Sequence, residues 1–462
     1  MPTRSLPPRP DLDHLKHQAK DLRDGHEAGD AGAIRRLAEF HPRLRGAAAD
    51  AIASATLTQA DALLTIAREY GFASWPKLKR HIEGLDALER RVTALRSEFA
   101  AGDTATRRRL VAPVHDFRRF ERHDPNATAL TDADARLVVA NAEGYAFWSK
   151  YESYLHLDPT VQDVIAAVRS GDRDRLLAAL GDDPRAANPF WVSGFHPPRQ
   201  IPNDSIPLYC ASEAAFRDSN PRGNEYELVR DLVGAGAVVD IAGGMPLAAA
   251  ASFGVLRAAE ALLDGGAAVD GPDGDGAMLA YALHFGFTDV AELFGSRGAK
   301  TDLRFDAGLG RLDAVKRWFA ADGSLQSGAG ALVDPYALEA KLEGRSPFRC
   351  ERTRANVLSQ ALYFACVHGR LDAAEYLLAQ GAAINAVVPG LDYWGTVLHR
   401  LAFLTVDDRS PPSVEPTVRF LHAHGADLEA RDEVFRGTPL GWARHHGRHE
   451  VVELLRSLGA KS

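Results

Sequence analysis

The side chains best suited to chemistry lie in one short run near the carboxyl end. His445, His446 and His449 surround Gly447 and precede Glu450. Histidine is a common zinc ligand, and the four-residue spacing of His445 and His449 would place two ligands one helical turn apart. Gly447, however, stands where a repeated pattern predicts the end of a helix, and no ordered His-Glu-x-x-His motif is present. The run therefore predicts a solvated turn and no metal site.

A second run imitates a calcium-binding loop. Residues 271–276 read Gly-Pro-Asp-Gly-Asp-Gly, but Ala282 stands where the loop needs a bidentate acid. Because Asp-Gly is a turn dipeptide, the run predicts a turn. The sequence also lacks the glycine-rich motifs of dinucleotide and phosphate binding and the Gly-x-Ser-x-Gly elbow of hydrolases. We therefore expect no cofactor and no catalytic residue.

The cysteines predict structural thiols. Cys210, Cys350 and Cys366 are too few and too scattered for a disulfide framework or a four-ligand zinc site. Cys210 and Cys366 fall in helical apolar patterns, where a small hydrophobic residue packs. An enzyme whose active site is formed by inserted loops stays an alternative hypothesis. It is motivated by four reactive or basic residues in those loops. They are His196, Arg199, Cys350 and Arg354.

Composition describes an ordinary soluble chain with an uneven charge. The 462 residues are 46% hydrophobic and 25% charged, which favours several packed units over disorder. No apolar run approaches membrane length, so we expect a cytoplasmic protein without membrane contact. Residues 1–123 carry 22 Lys/Arg against 17 Asp/Glu, and the remainder carries 32 against 45. Nucleic-acid binding by the basic end is a further alternative, although residues 107–109 form a short arginine run without aromatic residues.

One spacing recurs four times and organises the carboxyl-terminal two-thirds. A Leu is followed by a Gly seven residues later and by a Gly-Ala pair twelve residues after that. The four copies are Leu247/Gly254/Gly266-Ala267, Leu279/Gly286/Gly298-Ala299, Leu362/Gly369/Gly381-Ala382 and Leu440/Gly447/Gly459-Ala460. Each middle glycine predicts the left-handed end of a first helix, and apolar residues after it predict a second helix. Such pairs must stack to cover their apolar faces, which predicts a solenoid.

This pattern resembles the ankyrin repeat. The nearest copy is Thr438-Pro439-Leu440-Gly441-Trp442-Ala443, and Thr396-Val397-Leu398-His399 keeps the histidine but not the proline. The resemblance implies an all-α, ankyrin-type solenoid of about eight degenerate helix-turn-helix repeats over residues 158–462. Three insertions interrupt it, near residues 188–206, 320–357 and 405–416.

The first third contains a duplication. Residues 28–82 match residues 101–155 at a constant offset, which predicts two helical modules over residues 1–83 and 84–157. Thr58 and Thr131 predict helix N-caps, with an acid three residues on completing a capping box. Leu64, Ala67 and Tyr70 are the predicted buried stripe of the first copy. The stretch 57–82 resembles a leader module that precedes ankyrin repeats in bacterial proteins, which suggests a bacterial source but no known chemistry.

The resemblance favours a non-enzymatic scaffold that binds an unidentified protein partner through its concave face and inserted loops. Ten residues carry that prediction. Five lie in insertions, namely Trp191, Phe195, His196, Arg199 and Arg349, and five lie on successive first helices, namely Tyr209, Tyr281, Tyr363, His399 and Trp442. The aromatic residues in the insertions either anchor a partner or fold back as plugs over the solenoid.

Overall fold

The structure is a computed structural model in which helices account for nearly all regular structure. It describes residues 6–7, 10–72, 74–116, 128–145, 147–155, 157–189, 203–335, 350–388, 391, 395–404 and 414–461. Within these ranges the only β-type pairing is an isolated bridge between Phe319 and Leu325. The chain divides into two compact units, Met1–Cys210 with Gly234–Ala237, and Ala211–Val233 with Val238–Ser462. The predicted domain boundaries stay predictions.

The first unit contains ten complete helices among its described residues. They are α1 Leu12–Glu27, α2 Ala31–Phe40, α3 Ala49–Ala53, α4 Gln59–Glu69, α5 Trp75–Ala101, α6 Thr104–Asp116, α7 Asp132–Ala142, α8 Trp148–Leu155, α9 Pro159–Arg169 and α10 Arg173–Asp182. Short 3₁₀ turns follow at Pro184–Ala187 and Asn203–Ser205.

The duplicated modules keep the same local structure. Thr58 and Thr131 both form complete capping boxes at the starts of α4 and α7, which confirms the predicted caps. The buried face is also repeated. Its members, at the constant offset, are Ala62, Thr65, Ile66 and Ala67 in α4 and Ala135, Val138, Val139 and Ala140 in α7.

The predicted stripe of α4 is wrong in two of its three positions. Ala67 is buried, but Leu64 and Tyr70 are only partly buried, and Glu69 takes a buried place instead. Arg36 of α2 donates to both carboxylate oxygens of Glu69, at 2.6 and 2.8 Å. The Glu69 carboxylate can be buried because Arg36 donates hydrogen bonds to both of its oxygens. Apolar periodicity alone does not reveal this pairing.

The second unit continues with paired helices. Helix α11 Pro207–Phe216 crosses the boundary between the units, and α12 is Glu225–Gly234. The rest are α13 Ile241–Phe253, α14 Leu256–Asp264, α15 Ala277–Phe285, α16 Thr288–Ser296, α17 Leu303–Gly308, α18 Leu312–Arg317, α19 Arg354–Val367, α20 Leu371–Ala379, α21 Val397–Phe403, α22 Glu415–Ala423, α23 Pro439–His445 and α24 His449–Ser457. From α9 onward the described α-helices follow one another in eight pairs along the chain.

The glycines between paired helices have the predicted left-handed backbone. Gly254, Gly286, Gly369 and Gly447 have φ of 68°, 90°, 66° and 66°. The large second-helix residues of these copies are buried, and they are Leu262, Phe294, Leu377 and Leu455. The described residues therefore form an all-α, ankyrin-type stack of helix-turn-helix pairs.

A buried arginine fastens the insertion between α18 and α19. The Arg304 side chain is 0% exposed, and its Nε and Nη2 donate to Asp302 Oδ2 at 3.0 and 2.7 Å. Its Nη1 donates to Asp334 Oδ1 at 2.9 Å and to Gln360 Oε1 at 2.8 Å. Nη2 also donates to the carbonyl oxygen of Leu332 at 2.6 Å. The network joins α17, the inserted loop and α19, and it satisfies a charge that burial would otherwise make costly.

Candidate functional site

The ten predicted binding residues differ in whether the structure describes them and in how far they are buried. Trp191, Phe195, His196, Arg199 and Arg349 lie outside the described residues. Tyr209, in the first unit, is buried, and so are Tyr281, Tyr363 and His399 in the second unit. Of the predicted residues on first helices, Trp442 alone is partly exposed. Four of the five predicted first-helix residues are therefore buried, and their part in binding a partner stays a prediction.

First helices from non-consecutive pairs meet inside the second unit. His368, just after α19, bonds through Nε2 to the Leu283 carbonyl oxygen of α15 at 2.9 Å and through Nδ1 to Thr288 Oγ1 at 2.8 Å. Arg400 of α21 donates to the His284 carbonyl oxygen of α15 at 2.8 Å. The segment that ends α19 and helix α21 therefore both contact the carboxyl end of α15.

The short helix α17 permits this convergence. It spans only Leu303–Gly308, so α19 reaches past it towards α15. A Cβ at Gly308 would lie 2.7 Å from Leu283 Cδ2 of α15 and 3.2 Å from Phe364 Cβ of α19. Any larger residue at position 308 would therefore require the Leu283 side chain to shift.

Trp442 belongs to a cluster of rings at the last repeat, which we call the aromatic patch and define as Phe403, Phe435, Trp442 and His446. The Trp442 ring stacks on His446 with centroids 5.7 Å apart and an interplanar angle of 10°. It also lies 5.2 Å from the Phe403 ring and 5.7 Å from the Phe435 ring, edge-on to the latter. Phe435 is 75% exposed. Within the patch, Phe435 and His446 are exposed, Trp442 is partly exposed and Phe403 is buried.

Asp432 positions this patch. It is buried, and its carboxylate accepts hydrogen bonds from Trp442 Nε1 at 3.0 Å and from the backbone N–H of Gly437 at 2.7 Å. The backbone N–H groups of Val434 and Phe435 also donate to it. Burial raises the pKa of Asp432, but these four donors outweigh it, so the pKa lies below its ordinary value. One ionised carboxylate thus ties the turn that carries Phe435 to the helix that carries Trp442.

The neighbouring repeat supports the same turn. His399 Nδ1 lies 3.1 Å from the backbone nitrogen of Thr396, which donates to it, and Nε2 bonds to the carbonyl oxygen of Gly437 at 3.1 Å. His399 is therefore a structural residue that joins two repeats. A Cβ on Gly437 would lie 3.0 Å from Trp442 Nε1, so the indole packs directly on the backbone of the turn.

Metal ligands and nucleophilic thiols are the two kinds of reactive group to consider among the described residues. They contain no group of three His, Cys, Asp or Glu side chains arranged to hold a metal ion. Cys210, Cys350 and Cys366 are buried free thiols. Burial raises the pKa of Cys366 to about 12 and also raises that of Cys350. Both thiols are therefore protonated at neutral pH and poor nucleophiles.

Two arginines of the basic run have partners within the first unit. Arg107 donates to the Phe99 carbonyl oxygen at 3.0 Å, and Arg109 pairs with Glu98 at 3.2 Å. Part of the basic run is therefore engaged in contacts within the unit. Among the described residues, no helix is both long and apolar enough to span a bilayer.

Sequence reasoning missed Phe435 and Asp432. A usable signal was present, because residues 432–437 read Asp-Glu-Val-Phe-Arg-Gly and place an aromatic residue between charged ones in a turn. An acid that heads such a turn often accepts hydrogen bonds from the following backbone N–H groups. Its pairing with the indole of Trp442 depends on how the turn folds back on α23.

Comparisons with known proteins add little to this description. No family model and no curated protein matches the sequence. Among solved structures, the chain is similar to the ankyrin repeat domain of Bcl-3, with 21% identity, coverage of 64% of this chain and 97% of that chain, and a TM-score of 0.26. The human ASB11 ankyrin repeat domain is 19% identical, with coverage of 55% and 99% respectively and a TM-score of 0.24. Because these TM-scores are low, the fold assignment rests on the recurring helix pairs themselves.

Proposed function

We propose that this protein is a non-enzymatic scaffold that binds a protein partner, and that the aromatic patch of the last repeat is part of its binding surface. The observation that carries the proposal is the exposure of Phe435, at 75%, beside the partly exposed Trp442. Contiguous exposed apolar surface often marks an interaction site, and aromatic residues are enriched among the side chains that dominate binding energy at interfaces.

The location of the patch is consistent with this role. Repeat stacks bind partners with the surfaces that their repeats do not use to pack on each other. In the second unit the carboxyl end of α15 is covered by α19 and α21. The turn before α23 is accessible at Phe435. A cytoplasmic location is part of the proposal, because the three cysteines are unpaired thiols, as expected in a reducing compartment.

The test is a comparison of partners captured by three forms of the full chain. Phe435→Ser removes the exposed ring from the patch. Phe147→Ser is the matched control, since Phe147 is also an exposed phenylalanine, at 43%, in the other unit. Proteins from the source cells that bind the wild type are identified by quantitative mass spectrometry.

The expected result is at least one protein that Phe147→Ser retains and Phe435→Ser loses by about tenfold or more. Far-UV circular dichroism should be the same for all three forms, because neither ring is part of the buried core. If Phe435→Ser retains every captured protein at the wild-type level, the aromatic patch is not the binding surface.

A further inference from the structure

We propose that Lys77 and Lys150 are equivalent latch residues, each of which attaches one copy of the duplicated module to a buried aspartate at the start of a repeat. The two lysines occupy the same position in the duplication, at its constant offset. Lys77 meets Asp158, which directly precedes the first helix α9, and Lys150 meets Asp204, which lies shortly before the first helix α11. All four residues belong to the first unit.

Lys77 joins the start of α5 to the start of α9. Its Nζ donates to Asp158 Oδ1 at 3.2 Å and to Thr160 Oγ1 at 2.7 Å. The same Asp158 oxygen accepts a hydrogen bond from the backbone N–H of Thr160 at 2.9 Å and so caps α9. The Asp158 side chain is 1% exposed, and Lys77 is the one cation paired with it among the described residues. A buried carboxylate needs such a partner, because burial of an unpaired charge is costly.

Lys150 repeats this arrangement at the next first helix. Its Nζ lies 3.1 Å from Asp204 Oδ2, and the Asp204 side chain is also 1% exposed. The Asp204 carbonyl oxygen accepts a hydrogen bond from Cys210 Sγ of α11 at 3.4 Å, which ties the aspartate to that helix. Arg169 of α9 is a second cation near Asp204, with its Nη2 3.7 Å from Oδ1. Asp204 therefore keeps a cation if Lys150 is lost, whereas Asp158 has no second paired cation among the described residues.

Neither lysine stabilises the helix that carries it. Lys77 is the third residue of α5, and Lys150 is the third residue of α8. The first turn of a helix carries a partial positive charge, so a cation there is unfavourable by itself. No acidic residue lies in the first turn of either helix. The buried aspartate of a later segment supplies the compensating charge in both copies, so the two lysines act between segments and not within their helices.

This pairing makes the opening of each helix start depend on the module that holds it. Backbone N–H groups exchange with water when a helix start opens, and any contact that must break on opening slows this exchange. The N–H of Gln162 donates to the Asp158 carbonyl oxygen at 3.0 Å, and that of Cys210 donates to the Ile206 carbonyl oxygen at 3.0 Å. These two protons report on the first and the second latch respectively.

The test is hydrogen–deuterium exchange of the full chain, followed by mass spectrometry of peptides that cover residues 159–169 and 203–210. Lys77→Met removes the charge but keeps an unbranched apolar side chain, and it should speed exchange in the first peptide about tenfold. Lys150→Met should speed exchange in the second peptide by less, about threefold, because Arg169 still lies beside the aspartate.

Two further variants separate the latch from other effects of the substitution. Lys79→Met is the matched control, since the Lys79–Glu83 pair is exposed on α5, with side chains 51% and 55% accessible. It should change exchange at residues 159–169 by less than about twofold. In Lys77→Met/Asp158→Asn the unpaired carboxylate is gone and asparagine still caps a helix, so exchange there should return to within about threefold of wild type.

Four results would overturn the inference. Unchanged exchange of residues 159–169 in Lys77→Met would mean that this lysine does not hold α9. Unchanged exchange of residues 203–210 in Lys150→Met would mean that the two lysines are not equivalent. Equal acceleration across both units would indicate a general loss of stability and no local latch. Acceleration that persists in full in the double variant would assign the effect to lost packing of the lysine and not to the unpaired aspartate.

Discussion

Replacement of Arg304 by Met tests whether the buried network holds the second unit together. Arg304 is 0% exposed and donates to Asp302, Asp334, Gln360 and the carbonyl oxygen of Leu332. Methionine keeps much of the apolar volume but leaves buried acceptors without their donor. Loss of one partner of a buried ion pair costs about 3–5 kcal/mol.

The lower end of that range applies here, because one of the two carboxylates keeps a second cation. Arg352 Nη1 remains 2.9 Å from Asp334 Oδ1, whereas Asp302 loses the guanidinium that contacts its Oδ2 twice. We therefore expect Arg304→Met to lower the free energy of unfolding by about 3 kcal/mol. The double variant Arg304→Met/Asp302→Asn has no unpaired carboxylate at position 302. It should therefore recover part of the lost free energy of unfolding.

Urea denaturation of the full chain, followed by far-UV circular dichroism, measures the change. Arg456→Met is the control, because the Arg456–Glu453 pair is exposed, with side chains 49% and 72% accessible, and such pairs contribute about 0–1 kcal/mol. If Arg304→Met and Arg456→Met unfold with the same free energy, the buried network does not stabilise the unit as argued.

Two further predictions concern a turn and a titration. Gly254 and Gly447 have nearly equal φ, 68° and 66°, but a Cβ at Gly254 would lie 2.3 Å from the Phe287 ring whereas the space around Gly447 is open. Gly447→Ala should lower the free energy of unfolding by about 1 kcal/mol because of the left-handed backbone, and Gly254→Ala should lower it by about 1–3 kcal/mol more because of the clash. Equal shifts of the melting temperature for the two variants would contradict this prediction. Burial lowers the pKa of His368 from 6.5 to about 4. Between these two pH values the unfolded chain binds a proton that the folded chain does not bind. The stabilisation of the folded state by neutral His368 is therefore complete above about pH 6.5 and is lost as pH falls towards about pH 4. The difference in unfolding free energy between wild type and His368→Asn should therefore narrow by about 2 kcal/mol between about pH 7.5 and about pH 5, and a pH-independent difference would refute the assignment.

Local features of this chain were readable from the residues alone. The Leu, Gly and Gly-Ala spacing predicted helix pairs, and Gly254 and its equivalents end their helices with positive φ as expected. The capping boxes at Thr58 and Thr131 were equally readable. The helix ends and the caps depend on neighbours within about two helical turns, where backbone sterics and periodicity decide the conformation.

The candidate site was only partly predictable. Trp442 was identified from its place on a first helix, but Tyr281 and Tyr363 occupy related places and are buried. The difference arises because a short α17 lets α19 and α21 converge on α15, which no local pattern encodes. Exposure of a first-helix residue therefore depends on its contacts with other repeats.

The sequence by itself determined that the chain forms stacked helix pairs, because turn glycines, caps and apolar periodicity act over a few residues. Only the tertiary structure decided which polar groups lie inside and which rings lie outside. Arg304 meets Gln360, 56 residues away, and the Asp432 carboxylate meets the Trp442 indole across a turn. Such contacts depend on where packed helices place distant segments, and burial and charge pairing are properties of that placement.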